Sequence, residues 1–288
     1  MKMKRHLFFL WTFSILFTIS ASSQDTIRVL AIGNSFSQNA IENYLYELGQ
    51  EEGITFIIGN LYIGGCSLER HWNNATNNKA DYSYRKIDSN GEKTATPETS
   101  LLQGIADEKW DYISFQQNSG NSGIIDTYFP YLRQLTTFVK ENATNPNVEF
   151  IFHQTWAYAK DSNHNEFPKY NNDQQQMYRA IVKTSRKAAH KVGIKMIVPA
   201  GTAVQNGRSS FIGDRFCHDG YHLTQDLGCY TAACTWFETL SGKSVVGNPF
   251  APATITPLEV LTVQRAAHQA VAKPFKVTSV RLTSNNKK

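Results

Sequence analysis

"RVLAIGNSFSQNAI", residues 28–41, is the stretch on which the reading of this chain turns. It begins as an apolar run of the kind that fills a buried strand, then breaks at Gly33-Asn34-Ser35, where a helical pattern begins. A small polar residue at that junction has two readings. As a helix N-cap, its side-chain oxygen accepts the free N–H groups of the first turn. As a nucleophile, Ser35 is held out by a tight turn at the edge of a sheet. The turn alone does not separate them, so the decision passes to the rest of the chain.

Outward from this stretch, short apolar or β-branched runs alternate with helical patterns. The strands expected are "TIRVLAI", "TFIIGNLYI", "WDYISFQ", "VEFIFHQT" and "KMIVPAG". Between them lie segments with apolar residues three and four apart, such as Tyr44, Leu45 and Leu48, or Met177, Ile181 and Val182. Such alternation predicts a five-stranded parallel sheet with helices on both faces, a three-layer α/β/α sandwich of flavodoxin-like type. Two more helices follow, the second opened by Thr256, Pro257 and Glu259 as a capping box. With no internal repeat and no low-complexity linker, residues 24–288 read as a single domain. Residues 73–98 break the rhythm, with two short alternating runs around Asp88-Ser89-Asn90-Gly91. They predict a β-hairpin inserted between the second strand and its helix, either a wall of a site or decoration.

Residues 1–23 read as a secretory signal. Lys2, Lys4 and Arg5 precede the apolar "LFFLWTFSILFTI", and Ala21-Ser22-Ser23 offers a cleavage point before Gln24. A periplasmic or secreted protein is expected, without stable membrane insertion after cleavage because the apolar run is short for a span. Cleavage removes three positive charges and no acids, so the formal net charge falls from +5 to +2. No Lys/Arg-rich block with interleaved aromatics remains, so nucleic acid is not an expected partner. A monomer is expected. The four cysteines, Cys66, Cys217, Cys229 and Cys234, read as buried apolar fillers, with Cys66–Cys217 the one bridge considered. None has metal-ligand spacing to another.

Each expected strand ends on something small or polar. After the first comes Gly33-Asn34-Ser35; after the second, "YIGGCSLERHW", where Gly64-Gly65 lets a backbone N–H approach a ligand. After the third, "SFQQNSG" supplies the amides of Gln116, Gln117 and Asn118. Towards the C-terminus, "FCHDGYHLT" places Asp219 three residues before His222. Singly these are a cap, a tight turn, turn-forming amides and a helix start. Jointly they are a nucleophile, a base with a carboxylate to orient it, and donors for an oxyanion.

The joint pattern resembles the SGNH hydrolase superfamily, also called GDSL-type esterases, in block order over roughly residues 26–240. "GNS" matches the first block with Ser35 as nucleophile, "GGCS" the second with Gly65 as donor, and "DGYH" the last with Asp219 and His222. More narrowly, "GNSFS", "GGCSLERHW" and "WDYISFQQNSG" resemble a bacterial subgroup known mainly as a domain of unknown function. Two departures stand out. Asn34 replaces the family's Asp, and "QQNS" keeps an Asn but lacks the Gly and Asp of the third block. The resemblance implies a serine ester hydrolase without cofactor or metal. Its oxyanion hole would combine Ser35, Gly65 and Asn118, with Gln116 as the alternative amide because one residue of register turns a strand side chain to the other face.

By family analogy alone, the expected substrate is an acylated carbohydrate, with acetyl as the group removed. Arg70, His71, His153 and Trp156 lie near strand ends and are candidates to contact it, each also having a structural reading. His164, His190 and His268 read as surface residues. Four other functions fit parts of the pattern. "GNSFS" approaches the G-x-S-x-G elbow of α/β-hydrolases but ends on Ser37, not Gly. "HDGYH" has the i, i+4 histidines of zinc proteases but carries Gly220 inside the supposed helix. A glycan-binding protein that has lost activity, and an acyltransferase with the same triad, complete the set.

Overall fold

The expected buried strand forms as β1 (Asp25–Gly33), with side chains alternating between two cores. The structure is a computed structural model that describes residues 25–280, so the signal read in residues 1–23 lies outside the described residues. After β1 come α1 (Ser35–Ile41), α2 (Leu45–Gln50), β2 (Ile54–Tyr62), α3 (Leu68–Thr76), β3 (Tyr82–Ile87), β4 (Lys93–Thr99) and α4 (Leu101–Ala106). The chain continues through β5 (Tyr112–Phe115), α5 (Tyr131–Asn142), β6 (Glu149–His153), α6 (Gln174–Val192) and β7 (Met196–Val198). It ends with α7 (Ala200–Arg208), α8 (Leu227–Ser241) and α9 (Pro257–Ala272), the last opened by the expected Thr256–Glu259 capping box.

The sheet order is β4-β3-β2-β1-β5-β6-β7. From β2 to β7 the pairs are parallel, and β1 is the central strand of the seven. Val29 and Ala31 face a core shared with Phe36 of α1, Leu45 of α2 and Trp236 of α8. Leu30 and Ile32 face the other, with Leu68 of α3, Ile105 of α4 and Leu132 of α5. Each Val, Leu, Ile or Phe among them removed from water contributes about 1.5–3 kcal/mol, which is why both faces of the sheet are covered.

The sheet has seven strands, not the five expected. The hairpin is real, but it extends the sheet instead of standing over it. β3 runs antiparallel to β2, with Ile58 opposite Ile87 and Leu61 opposite Tyr84. Tyr82, Tyr84 and Ile87 are all buried, and that burial draws the hairpin onto the free edge of β2. The insertion also starts later than residue 73, because α3 runs to Thr76. β4 is left as an edge whose residues are exposed except the last, and Pro97 and a register shift discourage further pairing there.

His71 is the pin between α3 and the hairpin. It is fully buried, its Nδ1 lies 3.0 Å from the Tyr82 hydroxyl, and the two rings stack. Burial lowers its pKa to about 3, so the imidazole is neutral. It therefore supports the fold and does not reach a substrate, contrary to its candidacy as a contact residue.

The Cys66–Cys217 bridge does not form, and all four cysteines are free. Cys66 belongs to one core and Cys217 packs against the other, so the sheet lies between them. Burial pushes the thiols of Cys66 and Cys229 up to about 12 and that of Cys217 to about 11, and raises Cys234 likewise. Thiols so far from ionising are poor nucleophiles. Native protein is thus expected to leave a thiol-exchange dye almost uncoloured and to melt at the same temperature with or without reductant. All four thiols should react in denaturant; a drop in melting temperature on reduction would show a disulfide instead.

Candidate active site

The opening question is answered at the end of β1. The cap of α1 is Asn34, in extended conformation, whose Oδ1 accepts the Phe36 N–H at 3.0 Å. Ser35 is thereby released from capping and stands half-buried as the first residue of the helix. Gly33 is required just before it, because a β-carbon there would overlap the Ser37 side chain. Ser37 is fully buried and donates to Asn34 O at 2.7 Å and Asn60 Oδ1 at 3.0 Å. It fills the place a closing elbow glycine would take, which removes the support for the α/β-hydrolase reading.

Asn34 is also the hub of a buried polar chain. Its Nδ2 donates to Cys66 O at 3.1 Å, and its Oδ1 accepts from Gln116 Nε2 at 2.7 Å. Gln116 Oε1 lies 2.6 Å from His153 Nδ1. Since the Gln116 nitrogen is committed to Asn34, its oxygen must accept, and His153 carries its proton on Nδ1. Burial lowers the His153 pKa to about 3, so the chain is neutral throughout. Two expectations change. Gln116 is itself 1% exposed, with its amide turned to Asn34 inside the core, and His153, 1% exposed, lines no surface pocket.

The bond from Asn34 to Cys66 brings the loop after β2 beside Ser35. In that loop Gly65 takes φ +61°, a backbone that favours glycine. Asn118 Nδ2 reaches Gly65 O at 3.4 Å, and Asn118 is held from behind by Gln117. Gln117 Oε1 accepts both the Asn118 N–H at 2.9 Å and the Leu68 N–H at 3.0 Å. Ser67 caps α3 through the Arg70 N–H. Arg70 itself is exposed, 4.0 Å from Asp81, and alone among the four candidate contact residues faces solvent.

The C-terminal pair lies in a loop closed by a bridge between Cys217 and Leu223 and by His218 N–H to His222 O at 3.0 Å. With Gly220 at φ +87°, this is no helix, so the zinc-protease spacing is not realised. Asp219 Oδ1 accepts the N–H groups of Tyr221 at 3.0 Å and His222 at 2.7 Å, while Oδ2 lies 2.7 Å from His222 Nδ1. Partial burial pushes the Asp219 pKa up, but these hydrogen bonds outweigh it and hold the carboxyl below its usual range. An ionised Asp219 fixes the proton of His222 on Nδ1 and leaves Nε2 as an acceptor. The loop also brings ligand atoms of His218, Asp219 and His222 within 4.8 Å of one another, a set able to hold a metal ion.

Long-range contacts dock this loop on α1. Leu223 N–H donates to Asn39 Oδ1 at 3.1 Å, and Trp156 Nε1–H donates to Tyr221 O at 2.7 Å. Trp156 stacks on Phe36 at 4.2 Å, and the His222 ring sits edge-on to Phe36 at 6.2 Å. Trp156 is fully buried, so it braces the site and does not line it. Sequence reasoning missed the wall beside His222. Tyr221 packs 4.1 Å from the His222 ring and 4.6 Å from His164, which in turn packs 4.7 Å from Tyr158. His164 is half-buried here, not a free surface residue. Its segment, "WAYAKDSNHNEFPKY", matches no motif, and its density of aromatics was the signal available.

The same architecture occurs in a DUF4886 family protein from Bacteroides uniformis ATCC 8492. That structure is 53% identical, with a TM-score of 0.88 over 89% of this chain and 98% of the other. An acetylxylan esterase from Geobacillus stearothermophilus is 12% identical, with a TM-score of 0.47 over 76% of this chain and 96% of that one. TesA is 15% identical, with a TM-score of 0.45 over 75% and 98% of the two chains. Both of these likenesses are too distant to carry function. No curated protein matches the chain. The profile of a domain of unknown function, DUF4886, matches residues 28–270, and the chain belongs to that family.

Proposed function

We propose that this protein is an exported, monomeric serine ester hydrolase that removes short acyl groups, acetyl above all, from carbohydrate. One observation carries the reading. The Asp219–His222 pair, oriented at 2.7 Å, is docked against the very helix whose first residue is an uncommitted Ser35. The step the proposal adds is a hydrogen bond from Ser35 Oγ to His222 Nε2. As Oγ bonds to the ester carbonyl carbon, its proton passes to Nε2, and Asp219 stabilises the imidazolium. The Ser35 and Gly65 N–H groups and the Asn118 amide take the charge developing on the carbonyl oxygen. When the C–O bond to the sugar breaks, the alkoxide takes the proton from Nε2. Water then repeats the sequence, leaving acid and free Ser35. No cofactor or metal enters.

For substrate class, the half-exposed Tyr221 beside His222 offers a ring face to a sugar, and Arg70 a charge at the rim. Among the described residues, Phe211 and Leu258 are the large hydrophobics left exposed, a surface ill-suited to lipid. The Ser35→Ala variant is expected to stay folded and lose all hydrolysis of short acyl esters, and a fluorophosphonate should label Ser35 alone. Labelling at another residue, or retained activity, would remove the triad.

The oxyanion assignment has its own outcome. Asn118→Ala should lower kcat by about 10²–10³ with KM little changed, because the donor acts on charge present only in the transition state. Gln116→Ala should instead lower the melting temperature, since it takes one hydrogen bond from Asn34 and leaves the buried His153 Nδ1–H without a partner, and the reverse ranking would make Gln116 the donor. Finally, the close set of His218, Asp219 and His222 favours one second reading, metal-assisted hydrolysis. Exhaustive chelation is expected to leave activity unchanged; loss that added zinc restores would establish the metal instead.

A further inference from the structure

Helix α6 contains no Asp or Glu along its whole length, yet carries Arg179, Lys183, Arg186, Lys187, His190 and Lys191. All six are exposed. Elsewhere several cations are balanced locally, as in Lys86 with Asp107 and Glu108, or Arg208 with Asp214. Among the described residues, the ion pairs involve none of these six. The first five line one groove of about 600 Å³, and no acidic side chain lines it. Its floor is apolar: Tyr178 and Val182 from the helix, and Phe275 from the segment after α9, with the Arg186 guanidinium 5.2 Å above the Phe275 ring. The stripe is hidden in the sequence because its members are spread three and four apart, and only the helix gathers them onto one side.

We propose that this groove binds an acidic polysaccharide, a chain of sugars bearing carboxylates at intervals. Charge sets the sign of the ligand, and spacing sets its class. Cations three or four residues apart on a helix recur about every 4.5–6 Å, over about 17 Å from Arg179 to His190. Duplex DNA carries one charge per about 1.7 Å, far denser than this stripe can match. A uronate chain carries one carboxylate per ring, and its ring faces suit the apolar floor between the cations. Two other occupants are disfavoured by charge. Residues 281–288, "RLTSNNKK", add three cations and no acid, and a second copy would bring the same positive face. The start of α6 also touches the aromatic wall of the candidate active site. Gln174 Nε2, in the first turn of α6, donates to the carbonyl of Tyr158 in the aromatic wall at 3.0 Å. The binding itself does not depend on the hydrolase reading.

Affinity electrophoresis through gels containing polygalacturonate, neutral dextran or a duplex DNA oligonucleotide tests this without any activity measurement. Polygalacturonate is expected to retard the protein, dextran not at all, and DNA less than polygalacturonate. Retardation should fade as salt shortens the screening length from about 10 Å at 0.1 M towards 3 Å at 1 M. Lys183→Glu with Lys187→Glu should weaken polygalacturonate binding roughly tenfold or more, and Arg179→Gln with Arg186→Gln by a smaller factor. Melting curves confirm that each variant is folded. Ser35→Ala should bind as the wild type does, which separates this result from the outcome of the esterase tests. No retardation at low salt, unchanged binding in both folded variants, or tighter binding to DNA than to polygalacturonate would each overturn the proposal.

Discussion

The site depends on one buried side chain, the amide of Asn34. It makes three hydrogen bonds at once: Oδ1 accepts from Phe36 and Gln116, and Nδ2 donates to Cys66. Through them the end of β1, the loop after β2 and the end of β5 are held in one arrangement. Within a core 2% exposed at this residue, each bond left unmade costs about 1–3 kcal/mol, so the three partners are fixed together or not at all. The turn that presents Ser35 is a consequence of this constraint.

The same constraint explains two departures from the SGNH pattern that look unrelated in the sequence. Asn34 stands where that pattern has Asp, and Gln116 lies in the third block where "QQNS" loses its Gly and Asp. In the structure the two amides bond to each other at 2.7 Å. An ionised carboxylate at position 34 has no proton to give Cys66 O. An amide satisfies donor and acceptor together and avoids burying a charge. His153 completes the set as a neutral imidazole, which is why it sits inside the molecule and not at a pocket wall. Gln116 of the altered third block is therefore scaffolding, while Asn118, two residues on, faces Gly65.

The other half of the site is built by reach across the fold. The Asp219–His222 loop is self-contained, with its own hydrogen bonds to Asp219. Its place is set by distant groups: Asn39 on α1 holds Leu223, and Trp156 after β6 holds Tyr221 while stacking on Phe36. These aromatic contacts bury large rings with their one polar atom satisfied, which gives rigidity at little cost in unpaired polar groups.

The sequence by itself determined the alternation of strands and helices, the parallel core of the sheet, and the order of Ser35, Gly65, Asn118, Asp219 and His222 along it. Those features are local: periodicity of apolar residues, glycine at a tight turn, and a carboxylate three residues from a histidine all act over a few positions. Tertiary structure decided the rest. Whether the hairpin would pair with β2 depended on an edge that no local pattern reveals. Whether Cys66 could meet Cys217 depended on which side of the sheet each would occupy. His71, His153 and Trp156 carry the residue types of a binding site but lie where packing leaves them no access to solvent. The basic stripe of α6, unseen as a run, exists only once the helix turns its cations to one face. Burial and long-range pairing are properties of the whole chain collapsed on itself, and for that reason the residues nearest the sheet's edge were legible while their surroundings were not.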